Sequence, residues 1–540
     1  MARLVSKPVT PPYRAQQMAD IQMQKFAEAR INLGMITMVD PADIPTGAMQ
    51  LVKNATVRFD RTARRSGSIL LVPEKPDANP VLKLAFIKKK DGTGYTIRMT
   101  PASLHVRTGI GWDPIVGVAL SGVEKDRFQT VVALDEFVFA NNGADEIQKV
   151  DFVTNTYAQL GNAPNYRYIT GFYNRVVGFA RRGANEVEVG WSADGVITQW
   201  NPAIDESAGN SPLLESPSDL SDFGTGIFAF SNVMVLLRER SVWLGTKQPI
   251  PSNPFYMSTS VPNIGCDSPY SACLIDDGIA WMDRRTGTVY AYAPGQAPEP
   301  IGRPIEKTIL DNIDDPATIF SSYDPTAAEY SVCIPMVGSN YVIVWTYNRR
   351  NKAWARNEYY AITCMEDTDL ATGSVTIDGL GDVPIDELVG TIDDLSPTED
   401  IVSTRILGRD DGTIAQNDFE ATSDAPHTDF PLGCPYTTQL ISKVFTIPEN
   451  DIYIAKIVIE YQSNRGGEFL LEYSLNGGAT EGSWRLAKRV IPSVLGEPRL
   501  LTYKRFIRAR RFAWRLTTAA GLFETLSYEV HVYPSGQSVK

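Results

Sequence analysis

The chain has 540 residues, of which 43% are hydrophobic and 21% are charged, a composition typical of a globular protein rather than a disordered or fibrous one. Its formal net charge is −12, which argues against a dedicated nucleic-acid binder because such proteins usually present a basic surface. It has only three histidines, so His-based acid–base catalysis is not expected. The length predicts two to four domains unless a repeat architecture accommodates it.

The cysteines and the apolar runs predict where the chain folds. The five cysteines form no CxxC pair, so buried free thiols are expected rather than a disulfide framework or a zinc site. Residues 1–12 contain cations but no apolar core, so a signal peptide is not expected. No stretch approaches about 18 consecutive apolar residues, and no membrane insertion by this chain is predicted. We therefore expect synthesis and assembly in a cytoplasm.

The first predicted element is a helix. Residues 13–33 place apolar side chains at a loose helical spacing, and Gly34 follows as a helix terminator. The pattern predicts a short amphipathic helix within an N-terminal arm of residues 1–40.

From about residue 50 the apolar period shortens toward two, which is typical of strands. Residues 82–87 and 95–99 flank the turn signal Asp91-Gly92, and residues 278–282 and 288–292 flank Thr286-Gly287. Such units recur mostly every 40 to 60 residues, near the roughly 40–50 residues of a propeller blade. The fold class is therefore predicted as all-β, with a β-propeller of about six blades over residues 41–424. An array of sandwiches is the alternative.

An acidic insertion at residues 366–400 interrupts the predicted propeller. It contains three copies of Ile-Asp-x-Leu, at residues 377–380, 385–388 and 392–395. This spacing suits a surface element that docks Ile and Leu and leaves the carboxylates in water. The carboxylates of this candidate contact loop are Asp378, Asp386, Glu387, Asp393 and Asp394.

After Asp424 the strands become regular and alternating, and Gly-rich turns separate them. The pattern predicts a β-sandwich domain over residues 425–540. One cationic run lies within it. It is either a solvated strand edge or a contact patch that faces phosphates or acids, and its residues are Lys504, Arg505, Arg508, Arg510 and Arg511.

Few residues suggest chemistry. The paired carboxylates, such as Asp276-Asp277 and Asp410-Asp411, could serve as glycosidase acid and base or as Ca²⁺ ligands. Most of them, however, precede Gly or lie between strands, where Asp is favoured as a turn former. We predict no catalytic, cofactor-binding or metal-binding residues.

The ordered motifs of the chain resemble a known family. Residues 45–58 (PTGAMQLVKNATVR) and 64–67 (RRSG) resemble the opening of tail nozzle proteins, also called tail hub or tail tubular proteins, of short-tailed bacteriophages (podoviruses). Residues 137–143 (FVFANNG), residues 173–179 (YNRVVGF) and the Ile-Asp-x-Leu tract are similar to later parts of that family. The resemblance runs thinly from about residue 40 to 530.

The resemblance implies a structural virion protein and no enzymatic activity. Family members form a ring, commonly a hexamer, beneath the portal and adaptor proteins of the tail. Tail fibre or spike proteins are further implied partners, and double-stranded DNA passes non-specifically through the ring. Acidic lumenal side chains would keep DNA from sticking, and the long segments 203–226 and 366–400 would act as gates or partner contacts. A propeller-fold glycan hydrolase and a propeller binding scaffold are the alternatives.

Overall fold

The computed structural model describes residues 24–370 and 402–533, except for short gaps at 59–60, 73–74, 109–110, 216–219, 312, 314, 419–420, 447–450, 464–466, 493–494 and 520–522. Strands dominate this part of the chain, which has a single α-helix, α1 (Glu306–Leu310). Within the same residues, no helix has the length and apolarity needed to cross a membrane. The chain divides into two compact units.

The larger unit comprises residues 66–352 and 357–436. Seven four-stranded antiparallel blades are described, of which six are separate sheets and one consists of the first four strands of a nine-stranded sheet. Five strands precede the first complete sheet: β1 (Gln24–Arg30), β2 (Met49–Lys53), β3 (Ala55–Arg58), β4 (Arg61–Arg64) and β5 (Gly67–Leu70). Blade 1 contains β6 (Lys83–Lys88), β7 (Gly94–Met99), β8 (Leu104–Thr108) and β9 (Gly111–Ile115). Blade 2 contains β10 (Phe128–Ala133), β11 (Glu136–Asn141), β12 (Gln148–Asp151) and β13 (Thr156–Gln159).

The next three blades follow directly along the chain. Blade 3 contains β14 (Tyr166–Phe172), β15 (Arg175–Arg181), β16 (Glu188–Trp191) and β17 (Gly209–Pro212). Blade 4 contains β18 (Gly224–Phe230), β19 (Val233–Arg238), β20 (Ser241–Lys247) and β21 (Phe255–Pro262). Blade 5 contains β22 (Cys273–Ile275), β23 (Gly278–Asp283), β24 (Thr288–Tyr292) and β25 (Glu299–Pro300).

The last two blades complete the circle. Blade 6 contains β26 (Phe320–Asp324), β27 (Glu329–Pro335), β28 (Tyr341–Asn348) and β29 (Ala353–Tyr360). Blade 7 contains β30 (Ile362–Leu370), β31 (Val402–Arg409), β32 (Ile414–Asp418) and, as its fourth strand, β5. The predicted loops 203–226 and 366–400 are therefore shorter than expected, because the first includes β17 and the second begins inside β30.

The seven blades form a closed ring, which is the defining property of a propeller. The first strand of each blade packs on that of the next, directly or, between β18 and β22, through the 3₁₀ turn Pro269–Ser271. Finally β30 packs on β6. The chain also closes the last blade with an early strand, since Gly67 and Ser68 of β5 pair with Asp418 and Asn417 of β32. The propeller is confirmed, with seven blades instead of about six.

In blades 3 and 5 the second strand is more buried than the innermost strand. All six residues of β23 are buried, as are the first six of β15. These second strands lie between neighbouring blades and are covered on both faces, so they read as continuous apolar runs. Innermost strands such as β10 mix buried and half-buried residues.

The smaller unit comprises residues 1–65, 353–356 and 437–540. Of the predicted N-terminal arm of residues 1–40, only residues 24–40 are described, and these belong to the smaller unit. Its later strands are β33 (Thr438–Ser442), β34 (Ile452–Ser463), β35 (Phe469–Ser474), β36 (Trp484–Val490), β37 (Pro498–Ala509), β38 (Ala513–Thr518) and β39 (Phe523–Tyr533). One sheet has the order β3-β4-β39-β34-β37, with β1 also on β39, and the strands β2-β33-β38-β35-β36 are the last five of the nine-stranded sheet that begins with blade 6. Trp514 of β38 contacts Tyr528 of β39 with ring centroids 5.3 Å apart, so the sheets pack face to face as a sandwich.

The predicted N-terminal helix is wrong where the structure describes it. Residues 24–30 form β1, which pairs antiparallel with β39 through partners such as Lys25 and His531. Pairing with β39 satisfies the backbone groups of both strands, and this tertiary gain overrides a loose helical pattern. Residues 13–23 of the predicted helix lie outside the described residues.

Candidate functional site

The innermost strands of the propeller surround an axial cavity of about 500 Å³. This volume lies within the range of small-molecule sites. Its wall alternates hydroxyl, apolar and charged side chains. Among them are Thr130, Thr170, Ala229, Leu274, Ser321 and Met365.

Two ion pairs lie on the wall of the axial cavity. Lys83 of β6 pairs with Glu366 of β30. Asp367, whose side chain is fully buried, accepts a hydrogen bond from Arg405 Nε at 2.8 Å and another from the hydroxyl of Ser322. The cavity carboxylates are therefore already bonded to cations of the same unit.

The thiols beside the axial cavity are not activated. Burial raises the pKa of both Cys273 and Cys364 to about 12, so both stay protonated near neutral pH. Because the thiolate is the reactive form, neither residue is prepared to act as a nucleophile. All five cysteines are free thiols, four of them buried and Cys273 half-buried.

Arg127 crosses one end of the axial cavity. It precedes β10 of blade 2, and its two terminal guanidinium nitrogens donate to Thr363 O at 2.7 Å and Thr318 O at 3.3 Å, beside blades 7 and 6. The guanidinium carbon lies 4.5 Å from the ring centroid of Phe320. Arg127 and Phe320 also line a second cavity of about 250 Å³. Arg127 thus separates two small pockets, and the axis of one propeller is not an open passage for a duplex.

Asp410, Asp411 and His427 form the one cluster of potential metal ligands found among the described residues. His427 Nδ1 accepts the Asp429 N–H at 3.1 Å, which leaves Nε2 to donate to Asp410 at 2.8 Å. Asp411 accepts hydrogen bonds from the backbone N–H and hydroxyl groups of Thr413 and Thr428. The donor set is therefore already occupied and does not fit a metal ion.

The electrostatics of Asp411 agree with a turn-stabilising role. Burial alone would raise the pKa of Asp411, but the hydrogen bonds from Thr413 and Thr428 and the nearby His427 lower it to about 2. Asp411 occupies the predicted Asp-Gly turn, where Gly412 has a φ of 83°. The interpretation of this carboxylate as a turn former is confirmed.

The two predicted contact regions have different outcomes. The acidic residues Asp378, Asp386, Glu387, Asp393 and Asp394 lie outside the described residues. The structure brings the five cations of the other region together, on β37 and the turn that follows it. All five are exposed: Lys504, Arg505, Arg508, Arg510 and Arg511.

Two of these cations have acidic partners. Arg508 Nε donates to Asp451 at 2.6 Å, and Arg511 pairs with Asp40 at 2.9 Å. Lys504 and Arg510 have no ion pair within the described part of the chain. The cationic run is thus a strand edge with both paired and solvated charges.

Sequence reasoning missed the extent of this cationic surface. Arg485, Lys488 and Arg489 of β36 belong to the same edge of the sandwich, since Lys488 Nζ donates to Thr502 O of β37 at 3.4 Å. The high density of Lys and Arg between residues 485 and 511 is the sequence feature that could have predicted this larger surface. The axial-cavity residues Lys83, Arg127 and Glu366 had no such signal, because they come from distant blades.

No known protein-family model and no curated protein sequence matches this chain. Among solved structures, it is similar to PorZ, a bacterial surface component of the type-IX secretion system of Porphyromonas gingivalis, with 9% identity and a TM-score of 0.38 over 73% of this chain. The chain spans 44% of the length of PorZ.

Two further solved structures are similar. YCF48 from Cyanidioschyzon merolae has 11% identity and a TM-score of 0.34, over 66% of this chain and 100% of that one. A quinonprotein alcohol dehydrogenase-like protein from Bacteroides thetaiotaomicron has 12% identity and a TM-score of 0.31, over 51% of this chain and 65% of that one. At these scores the propeller assignment depends on the sheet order described above.

Proposed function

We propose that this chain is a structural virion protein, the subunit of a tail nozzle ring in a short-tailed bacteriophage. The ring, a hexamer by the family resemblance, encloses the DNA exit channel, retains the packaged genome and passes it at infection. Its neighbours are portal-adaptor proteins and tail fibre or spike proteins.

The observation that carries this proposal is the structural role of the nozzle-like opening at residues 45–67. Asn54 has a φ of 51°, is 1% exposed, and its side chain donates to Thr437 O at 2.9 Å. Arg65, 2% exposed, donates from Nε to Asn54 Oδ1 at 3.3 Å. The chain then enters β5, which closes the propeller. The residues that resemble the family therefore build the scaffold, as a non-enzymatic structural protein requires.

The small volume of the axial cavity supports a DNA channel that lies between subunits and not inside one propeller. Arg127 crosses the propeller axis, and about 500 Å³ is the space available for a ligand rather than for a duplex. The net charge of −12 favours a wall that lets DNA slide, because few phosphates would be neutralised there. DNA would thus pass through the centre of the ring and outside each propeller.

The test is mass spectrometry and cryo-electron imaging of virions from the source culture. We expect this chain in the tail, as a symmetric ring around an axial channel. If virions from that culture lack the chain, the proposal fails. Cleavage of labelled glycans by the purified monomer would then support the alternative of a propeller hydrolase.

A further inference from the structure

The β36–β37 edge of the sandwich is an unpartnered surface. β36 ends one sheet and β37 ends the other, and no described strand pairs with the outer side of either. Long exposed edges usually carry charges that prevent association, but they also accept partners. We call the exposed side chains from Arg485 to Arg511 the cationic edge.

The cationic edge also exposes large apolar side chains. Leu500 and Phe506 on β37 are 68% and 61% exposed, and Ile491 is 72% exposed. Phe506 stacks on Tyr453 of β34 with ring centroids 5.1 Å apart. Leu486 and Leu495 of the same segment are also exposed. Several large exposed apolar side chains on one surface are a feature of protein-binding sites.

Charge is strongly segregated along this chain. Residues 484–511 contain nine of the 51 Lys and Arg residues but only one of the 63 Asp and Glu residues. This segment has a net charge of +8, and the rest of the chain has −20. Residues 371–401 contain eight Asp or Glu residues and no Lys or Arg. The net charge of this segment, −8, is therefore equal in size and opposite in sign to that of residues 484–511.

We propose that the cationic edge of one copy binds residues 371–401 of a second copy. The three Ile-Asp-x-Leu repeats offer partners to both kinds of exposed side chain on the edge. Their carboxylates would pair with its cations, and their Ile and Leu would pack on its apolar side chains. A duplex would satisfy the cations only, since phosphates offer no partner to Leu500 or Phe506. The proposal rests on the proposed function only in taking a second copy as the partner.

This pairing is of the kind that builds rings. The cationic edge and residues 371–401 are different surfaces of one chain, so their contact between copies is head-to-tail. Heterologous contacts close into rings when the rotation between subunits permits it. The contact would thus define the interface between adjacent subunits.

The test is a charge swap in the full-length chain, with self-association followed by sedimentation velocity over a range of concentration and salt. Lys504→Glu with Arg505→Glu, the edge reversal, inverts two charges of the edge, and Asp386→Lys with Asp393→Lys inverts two charges of the partner. We expect each pair to raise the dissociation constant by about tenfold or more, because it halves the net charge of one side and places like charges opposite each other at those positions. The combination of all four substitutions places opposite charges at those positions again, so it should recover part of the lost association, which a folding defect would not do.

The matched control is Lys88→Glu with Lys90→Glu, an equal charge change at exposed positions of blade 1. It should leave the dissociation constant within about twofold. A wild-type chain that stays monomeric overturns the inference. So does an edge reversal that leaves association unchanged, or a four-substitution variant that does not recover.

Two further outcomes separate this inference from the proposed function. If the edge reversal abolishes binding of a labelled duplex but not self-association, the surface is a nucleic-acid site and the inference is wrong. If virions contain the ring and assemble with the edge reversed, only the inference fails. If virions lack the chain while the charge swap still restores association, the inference stands and the proposed function fails.

Discussion

Buried arginines carry much of the polar bonding inside the propeller. Arg238 donates from Nε to Asp222 O at 2.5 Å and from a terminal nitrogen to Leu213 O at 3.2 Å. Arg409 binds Ala425 O and Pro426 O in the same way. Both side chains satisfy loop carbonyls that would otherwise be buried without a donor. The sequence could not reveal this role, because an exposed and a buried arginine look alike in it.

Substitution of Arg405 would measure how much an uncompensated buried charge lowers the free energy of unfolding. Arg405→Met leaves the fully buried carboxylate of Asp367 with only Ser322 as its described donor. We expect the free energy of unfolding to fall by about 3–5 kcal/mol, the usual cost of an uncompensated buried charge. Urea denaturation would measure it.

The control for Arg405 is the more solvated pair of Lys149 and Glu136, whose side chains are 34% and 43% exposed and whose nitrogen–oxygen distance is 3.0 Å. Lys149→Met should cost less than about 1 kcal/mol. Arg405→Met with Asp367→Leu should recover much of the lost stability. Equal losses in the two single variants would contradict the proposed role of burial.

At the scale of elements, local turn signals were the most informative part of the sequence. Asp91-Gly92 and Thr286-Gly287 connect β6 to β7 and β23 to β24, as predicted. The two connections are short, residues 89–93 and 284–287, and their turn chemistry is local, so it survives in different tertiary contexts. The innermost strands were hard to recognise in the sequence, because one side of each faces the axial cavity and its polar residues interrupt the apolar pattern.

The closing strand β5 has no space for a side chain at Gly67. A Cβ on Gly67 would lie 2.3 Å from Ser423 O and 2.7 Å from Ala421 O, both backbone atoms. Gly67→Ala must push β5 away from this loop, so we expect a loss of about 1–3 kcal/mol in the free energy of unfolding. Thermal and urea denaturation would measure it.

Gly94 in β7 is the matched position for Gly67. The nearest atom to a Cβ there is Ile87 O at 4.0 Å, so Gly94→Ala has space and should change stability by less than about 0.5 kcal/mol. A neutral Gly67→Ala variant would mean that the closure of blade 7 tolerates displacement of β5.

For the whole molecule, the repeat period predicted the propeller but not its blade count. Blade 7 was hard to recognise because residues 371–401 separate β30 from β31 and because its fourth strand comes from residues 67–70. The sandwich was recognised only in its C-terminal part. Contacts across hundreds of residues, such as that of β1 with β39, leave no mark in local periodicity.

Deleting residues 371–400 tests the role of the insertion in the virion. The deletion must spare β30, since Glu366 and Asp367 form ion pairs inside the propeller. With a short turn joining β30 to β31, the single chain should still fold, while particles should leak genome or lose fibres, or should lack the ring if these residues form the contact between copies. Packaged DNA retention and fibre content of purified particles would be measured. Normal particles would contradict the proposal that this segment is a gate or a partner contact.

The pairing of β1 with β39 has a consequence for how the chain is made. Lys25 lies opposite His531, so the ribosome must add about 500 residues before β1 can meet its partner. At roughly 5–20 residues per second this takes about 25–100 s. Throughout that interval β1 is without its partner strand, so we expect translation speed and chaperone access to affect the yield of correctly folded protein.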